Sequence, residues 1–364
     1  MTAKPIVLTA DRFTTQSKTP WGGESITRHY KRGILPDRVG EKVGESWEFS
    51  CDPEFPSMCE SGLSLPDKIR ESKPAVFSLE AVARGRDEIE ILVKLLDAAD
   101  VLSVQVHPRD DDANLKPGEC GKPESWYVLG AEPGAGLYLG FSRSVTKEVL
   151  RDAFLAGGQE AKALMQFTLV RPGDYFEIEP GVPHAIGAGV TLLEPQRILP
   201  GRSGKTYRFW DWGRVYHPDG RLGTSGELGT NARELHLEAG LKLVSPDKQV
   251  GPEFVDSLRR SPVISQLSGG TTISEFPANP WYRVTNIDLR EAGAQCTLSM
   301  TGYGAFIVLS GTVELRGTFG NTLVTGCRTA LLPHDCLPVT TVAMEAAARC
   351  ILVSPAWAAT AIRR

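Results

Sequence analysis

Of the six histidines in this chain, two stand in surroundings suited to holding a metal ion. His107 closes the segment Ser103-Val104-Gln105-Val106-His107-Pro108. Strand side chains alternate between faces, so Ser103, Gln105 and His107 share one side and the valines take the other. A polar row backed by an apolar one suits a strand lining the polar mouth of a barrel. An ordinary amphipathic strand facing water would show the same pattern. His184 ends the run Pro172-Gly173-Asp174-Tyr175-Phe176-Glu177-Ile178-Glu179-Pro180-Gly181-Val182-Pro183-His184. There a turn, a short strand and a second Pro-Gly turn deliver the imidazole to a defined place. Glu124, in Gly121-Lys122-Pro123-Glu124-Ser125-Trp126-Tyr127, opens an apolar strand. The plain alternative for such a carboxylate is exposure to solvent. Two imidazoles and a carboxylate are a usual ligand set for Zn²⁺ or non-haem Fe²⁺, at ~2.0–2.2 Å. The amide oxygen of Gln105 is a weaker fourth donor. One negative charge among four ligands leaves the cation a strong Lewis acid.

The elements that must position these groups read as short strands. Thirty-seven glycines and 25 prolines punctuate apolar runs, the texture of strands joined by turns. Strands are expected over residues 89–96, 101–106, 125–129, 136–140, 167–169, 175–178 and 190–193. Residues 146–165 break the rhythm: Thr146 is a candidate cap, followed by Val149, Leu150, Phe154 and Leu155 at helical spacing. Gly157-Gly158 should split this helical insertion. Residues 215–230 read as a polar loop, and 233–243 as either a short helix or a strand. Residues 305–315, Ala-Phe-Ile-Val-Leu-Ser-Gly-Thr-Val-Glu-Leu, carry a strand–turn–strand signal. Further strands are expected at 329–332 and 350–353.

Bulk properties exclude several classes. At 364 residues the chain is long enough for two barrel-sized units. A formal net charge of −4 gives no reason to expect nucleic acid or an anionic membrane as partner. No stretch approaches the ~20 apolar residues of a spanning helix, and the N-terminus lacks the layout of a secretory signal. Seven scattered cysteines without a CxxC suggest reduced thiols and a cytoplasmic protein. No Walker A loop or dinucleotide fingerprint is present, so no nucleotide cofactor is expected.

The motifs in order, Trp21-Gly22-Gly23, Gly44-Glu45-Ser46-Trp47-Glu48, Leu92 to Asp97, the Gln105-x-His107 segment, Lys122-Pro123-Glu124, Pro180 to His184 followed by Glu194, and Thr206-Tyr207-Arg208, resemble type I mannose-6-phosphate isomerases, which are cupins. The resemblance implies a mostly β fold, a double cupin of two jelly-roll-type barrels with a small helical insertion. Residues 1–80 would pack on the first barrel, 81–230 form the catalytic barrel, 231–274 connect, and 275–364 form a second barrel without metal. It further implies one Zn²⁺ per chain, held by Gln105, His107, Glu124 and His184. Arg208 matches the family's active-site arginine; Lys122, Glu194, Ser103 and Lys94 match pocket residues.

An aldose–ketose isomerisation of a sugar phosphate then follows as the expected reaction, in a monomer or homodimer. It moves a proton between C1 and C2 through an enediolate, which needs positive charge at the forming oxyanion and a general base on one face. Glu194 and Lys122 are the candidate bases, and Arg208 the second positive charge. Arg202 and Lys205, near Arg208 in sequence, are candidate phosphate partners, and Trp21 a candidate pocket wall; a solvated basic loop is the alternative for the first two. One departure stands out. Ser203-Gly204 occupies the place of a Ser-Asp pair, and residues 195–202 lengthen the preceding segment. A different sugar substrate, or a sugar-binding cupin with little turnover, are the competing expectations. An iron-dependent oxygenase is a more distant one, disfavoured because four protein ligands leave few open positions.

Overall fold

Strand alternation sets the architecture of this computed structural model, which describes residues 3–363. In Val190–Arg197, Leu192 belongs to one apolar core and Leu193 to another, so successive side chains serve opposite faces. This strand lies between Ile91–Ala98 and Glu124–Ala131; Glu45–Phe49 and Tyr175–Ile178 complete a five-stranded sheet. A second five-stranded sheet runs Tyr207–Trp210, Val104–Val106, His184–Ile186, Gly136–Phe141, Met165–Leu169. Leu96, Trp126, Leu137, Leu139 and Leu192 fill the space enclosed between the two sheets. Burying such side chains contributes about 1.5–3 kcal/mol each, which holds the two sheets together.

The helical insertion covers the outer face of the second sheet. Thr146 accepts a hydrogen bond from Val149 N at 3.3 Å and starts Lys147–Ala156. Gly157, at φ +71°, ends that helix and a second, Gly158–Leu164, follows. Leu150, Phe154 and Leu164 pack on Val104, Val106, Ala185 and Phe209.

The C-terminal half is a second pair of sheets. Seven strands run in the order Ile6–Val7, Arg328–Leu332, Gly304–Ser310, Ala348–Pro355, Tyr282–Leu289, Thr271–Glu275, Val263–Leu267. Five others run Gly320–Thr325, Thr312–Gly317, Val339–Ala343, Gln295–Met300, Thr360–Arg363. The middle of the seven-stranded sheet is buried on both faces. Ala305, Ile307 and Leu309 pack on Val93, Leu95 and Tyr127 of the first unit, while Phe306 and Val308 face the C-terminal core. Double burial explains the unbroken apolar run. The expected strand–turn–strand at 305–315 is present, but its arms enter different sheets rather than forming a hairpin.

Other differences from the sequence expectation are local. Ile6–Val7 pairs with Ala330 and Leu331 of the C-terminal sheet, so the start of the chain serves the second unit as well as the first. The expected connector 231–274 contains the helix Gly251–Leu258 and the hairpin Val263–Leu267/Thr271–Glu275, which extends the seven-stranded sheet. The undecided segment 233–243 is helical over Leu237–Leu243. The loop 215–230 carries one short pairing of Val215–Tyr216 with Leu222–Gly223. All seven cysteines are unpaired. Among the described residues no helix is long and apolar enough to cross a membrane.

Candidate active site

The same alternation sends the polar residues of both sheets of the first unit toward one end of the enclosed space. Val104 and Val106 face the helices, leaving Gln105 and its neighbours Ser103 and His107 to the interior. His184 pairs in register with Gln105, and Arg208 pairs with Gln105 from the other side. In the facing sheet Glu194 lies opposite Lys94, and Gln196 opposite Glu124. The result is a cavity of about 270 Å³, walled among others by Trp21, Glu45, Lys94, Ser103, Gln105, Lys122, Glu194, Gln196, Arg208 and Arg233.

His107, Glu124 and His184 converge just behind its wall, next to the lining residues Gln105 and Lys122, their donor atoms all within 4.8 Å of one another and each residue 1–2% exposed. His107 Nδ1 donates to Lys205 O at 3.2 Å, and His184 Nδ1 to Val182 O at 2.9 Å. These bonds put the ring protons on Nδ1 and leave both Nε2 atoms bare. His107 Nε2 stands 3.2 Å from Glu124 Oε2, and His184 Nε2 stands 3.5 Å from Glu124 Oε1. Bare imidazole nitrogens and a carboxylate are all acceptors, so nothing there bonds them to each other. His107 Nε2 and Glu124 Oε1 are buried without a hydrogen-bond partner, a state that costs about 1–3 kcal/mol per group. Burial keeps both imidazoles neutral: it lowers His107, and with His107 as a neighbour it brings His184 down to about 3. Burial works against the charge on Glu124, but the Lys122 ammonium leads the groups that outweigh it, and the carboxyl is held well below its usual range. Converging, deprotonated donors, with His107 Nε2 and Glu124 Oε1 unpartnered, fit a divalent cation. Gln105 differs from the other three. Its Nε2 faces His184 Nε2 at 3.3 Å while its Oε1 accepts from Ser103 Oγ at 3.2 Å, so its amide is already satisfied.

The remaining pocket groups form a charged wall. Lys122 Nζ lies 3.2 Å from Glu124 Oε2. Burial disfavours its ammonium, but Glu124, Glu194 and Glu45 together raise its pKa, the opposite of the depressed value a lysine base requires. Glu194 is raised above the carboxylate range by burial and by the nearby Glu124. Its Oε1 accepts from Trp126 Nε1 at 3.1 Å and its Oε2 from Gln196 Nε2 at 2.6 Å. Lys94 stands 3.4 Å from Glu45 and 4.4 Å above the Trp47 ring. Arg208 is held by Ser103 Oγ at 3.1 Å and Glu234 O at 2.9 Å; burial, with Arg233 nearby, lowers its pKa to about 10.

Two expected phosphate partners are placed elsewhere. Neither Arg202 nor Lys205 lines the cavity. Residues 203–204 pair alongside 119–120, which turns Lys205 Nζ to Glu119 at 2.8 Å and Arg202 to Glu119 O at 3.4 Å. Lys205 serves the site through its backbone carbonyl, on His107. The cavity's additional cations are Lys18 and Arg233, which the sequence reading did not single out. Arg233 gave no signal, since it lies in a segment of undecided structure and is oriented by Asp211 at 2.8 Å. Gln196, also missed, was accessible from the sequence as the residue two beyond Glu194, on the same strand face.

These features define a mostly β protein of the cupin fold with a buried His–Glu–His group of metal-holding type. Comparison narrows the class. Residues 13–125 match the phosphomannose isomerase type I catalytic domain. Over 225 residues the chain is 33% identical to mannose-6-phosphate isomerase ManA of Bacillus subtilis, covering 62% of this chain and 64% of that one. Over 242 residues it is 34% identical to the mannose-6-phosphate isomerase of Streptococcus mutans, covering 64% and 66%. The matched stretch thus spans just under two thirds of these relatives' own lengths. The fold matches the crystal structure of mannose 6-phosphate isomerase from Bacillus subtilis with a TM-score of 0.74 at 23% identity, over 97% of this chain and all of that one. The apo mannose 6-phosphate isomerase of Salmonella typhimurium matches at 0.68 and 17% identity, over 97% and 99%. The chain is thus similar to type I phosphomannose isomerases, in sequence over about 240 residues and in fold over nearly its whole length.

Proposed function

We propose that this chain is a zinc-dependent aldose–ketose isomerase that interconverts mannose-6-phosphate and fructose-6-phosphate. The observation that carries this reading is the convergence of buried acceptors at His107, Glu124 and His184, directly behind Gln105 and Lys122 of a cavity lined by further carboxylates and several cations. Gln105, beside His184, would complete the set if its amide oxygen turned inward. A zinc ion held by these residues would supply Lewis-acid charge to the reaction.

The protein's own groups do the rest. Glu194, buried on the cavity wall, takes the proton from one carbon and returns it to the other. Lys122, paired with Glu124, supplies positive charge rather than a base. Arg208, fixed by Ser103 and Glu234, presents a guanidinium to the negative charge of the enediolate. Arg233 and Lys18 offer the phosphate its cations, a guanidinium fork being well shaped for it. Trp21 and Trp47 line the same cavity and exclude water from it. The unpaired cysteines suit work in a reducing, cytoplasmic compartment.

Incubation with mannose-6-phosphate in deuterated water tests the base. Wild-type protein should exchange the C2 hydrogen, and Glu194→Gln should lose exchange while retaining zinc. Exchange undiminished in Glu194→Gln would refute the assignment.

Gly204 favours a second reading, the same chemistry on another sugar phosphate. A Cβ at this position would lie 2.5 Å from Ile198 Cδ1 and 2.8 Å from Lys122 Cδ, so the wall here is shaped for glycine and carries no acid. Turnover measured across a panel of aldose and ketose phosphates separates the two.

A further inference from the structure

The cavity wall contains a polar side chain to which no role has yet been given. Gln196 is fully buried at mid-sheet. Its Nε2 donates to Glu124 Oε2 at 2.9 Å and to Glu194 Oε2 at 2.6 Å, so one NH₂ group spends both hydrogens on two different carboxylates. The register explains how: Gln196 lies directly across from Glu124 on the neighbouring strand, and Glu194 is two residues back on its own strand, on the same face. Its Oε1 is buried with no partner. Turned over, the amide would set that oxygen against two carboxylates and leave the donors unused, so the carboxylates select the orientation seen.

We infer that Gln196 is a positioning residue that couples the metal centre to the catalytic base. On Glu124, the amide and Lys122 both engage Oε2, which leaves Oε1 as the free oxygen facing His184. On Glu194, the amide holds Oε2 while Trp126 holds Oε1, so the base is fixed from both sides. Two carboxylates, Glu45 and Glu194, share this wall with two ammonium groups, Lys94 and Lys122, and a third, Glu124, lies 3.2 Å behind Lys122. A neutral double donor between two of the carboxylates relieves their repulsion without adding a fixed cation beside a site that must bind one. An apolar residue here would free both carboxylates at once. Partners of this kind, one shell beyond a metal's ligands, typically change affinity 10- to 100-fold when removed.

This inference rests on the proposed function, and its test separates the two. Zinc affinity is measured by competition with a chelating dye on the stripped full chain, for wild type, Gln196→Met and Gln196→Asn. The expected result is a 10- to 100-fold loss for Gln196→Met and an intermediate loss for Gln196→Asn, whose amide is one methylene short. At saturating zinc, Gln196→Met should still lower kcat with KM little changed, the split expected of a misplaced base rather than of lost substrate binding. A residue that only supported the fold would move the melting temperature and neither of these readouts. Wild-type zinc affinity in Gln196→Met, or a wild-type kcat in it at saturating zinc, overturns the inference while leaving the proposed function standing. A wild-type chain that takes up no zinc overturns both. Should Gln196→Met fail to fold, Gln196→Asn carries the same comparisons.

Discussion

Gly204 is where this chain departs most visibly from the resemblance, and Gly204→Ala turns that departure into a measurement. The added Cβ would fall 2.5 Å from Ile198 Cδ1, 2.8 Å from Lys122 Cδ and 2.9 Å from Lys122 Cγ. Contacts this short force a neighbour to move. Ile198 is packed in a small cluster with Trp47, Leu92 and Cys120 and has little freedom, so the flexible stem of Lys122 yields first. Overpacking of this size costs about 1–3 kcal/mol, and in a unit of 150–250 residues each kcal/mol lowers Tm by about 2–4 °C. Displacing Lys122 by ~1 Å pulls its ammonium from Glu124, and misplacements of that size cost up to about 100-fold in rate. Scanning calorimetry and a coupled isomerase assay on the same preparation should therefore show a modest Tm loss with a kcat loss of about 10- to 100-fold. In a Lys122→Met background the kcat penalty of Gly204→Ala should shrink to near nothing. A Gly204→Ala protein with unchanged Tm and kcat would refute the reasoning, since it would show that the wall has room for a side chain.

Further predictions concern the frame around the site. Lys31 and Glu48 form a fully buried ion pair at 2.7 Å, with Lys31 also donating to Cys327 O at 2.6 Å across to the C-terminal unit. Lys31→Met should cost about 3–5 kcal/mol in urea unfolding by stranding Glu48, and Lys31→Met/Glu48→Leu should cost less than the single change; equal costs would show the pair is uncoupled. Arg197 binds Asp110 through two hydrogen bonds at 2.6 and 2.9 Å and holds its carboxyl below the usual value. A folded value below the unfolded one means the contribution is complete above about pH 4 and is lost as pH falls through the depressed value. After screening at this partly exposed position it is about 1 kcal/mol, so Arg197→Met should flatten the acid limb of stability measured from pH 6 to 3; an unchanged limb would count against it.

Much of the site was legible because strand alternation is a short-range rule. The face shared by Ser103, Gln105 and His107, the strand opening at Glu124, and the turn that delivers His184 all follow from neighbours in sequence, as does the cap at Thr146. What was not legible depends on partners far along the chain. Arg233 reaches the cavity because Asp211 orients it, and Lys205 leaves it because Glu119 attracts it; neither partner is visible from local pattern. Residues 305–315 read as a hairpin because Ser-Gly-Thr is good turn chemistry, yet the arms part company. The first arm is apolar on both faces and suits a sheet covered twice, and the second alternates Val313 and Leu315 with Glu314 and suits a sheet covered once. The hairpin at 263–275 went unseen because its first strand is almost wholly exposed and carries little apolar periodicity.

The central claim is that His107, Glu124 and His184 together hold one divalent ion on which turnover depends. Metal content and fructose-6-phosphate turnover, determined on one preparation of wild type and of His184→Ala, test it most directly. The account predicts one zinc per wild-type chain, removed by chelator together with activity and restored with it, and neither in His184→Ala. Full activity in metal-free wild type, or a full complement of zinc in His184→Ala, would contradict it.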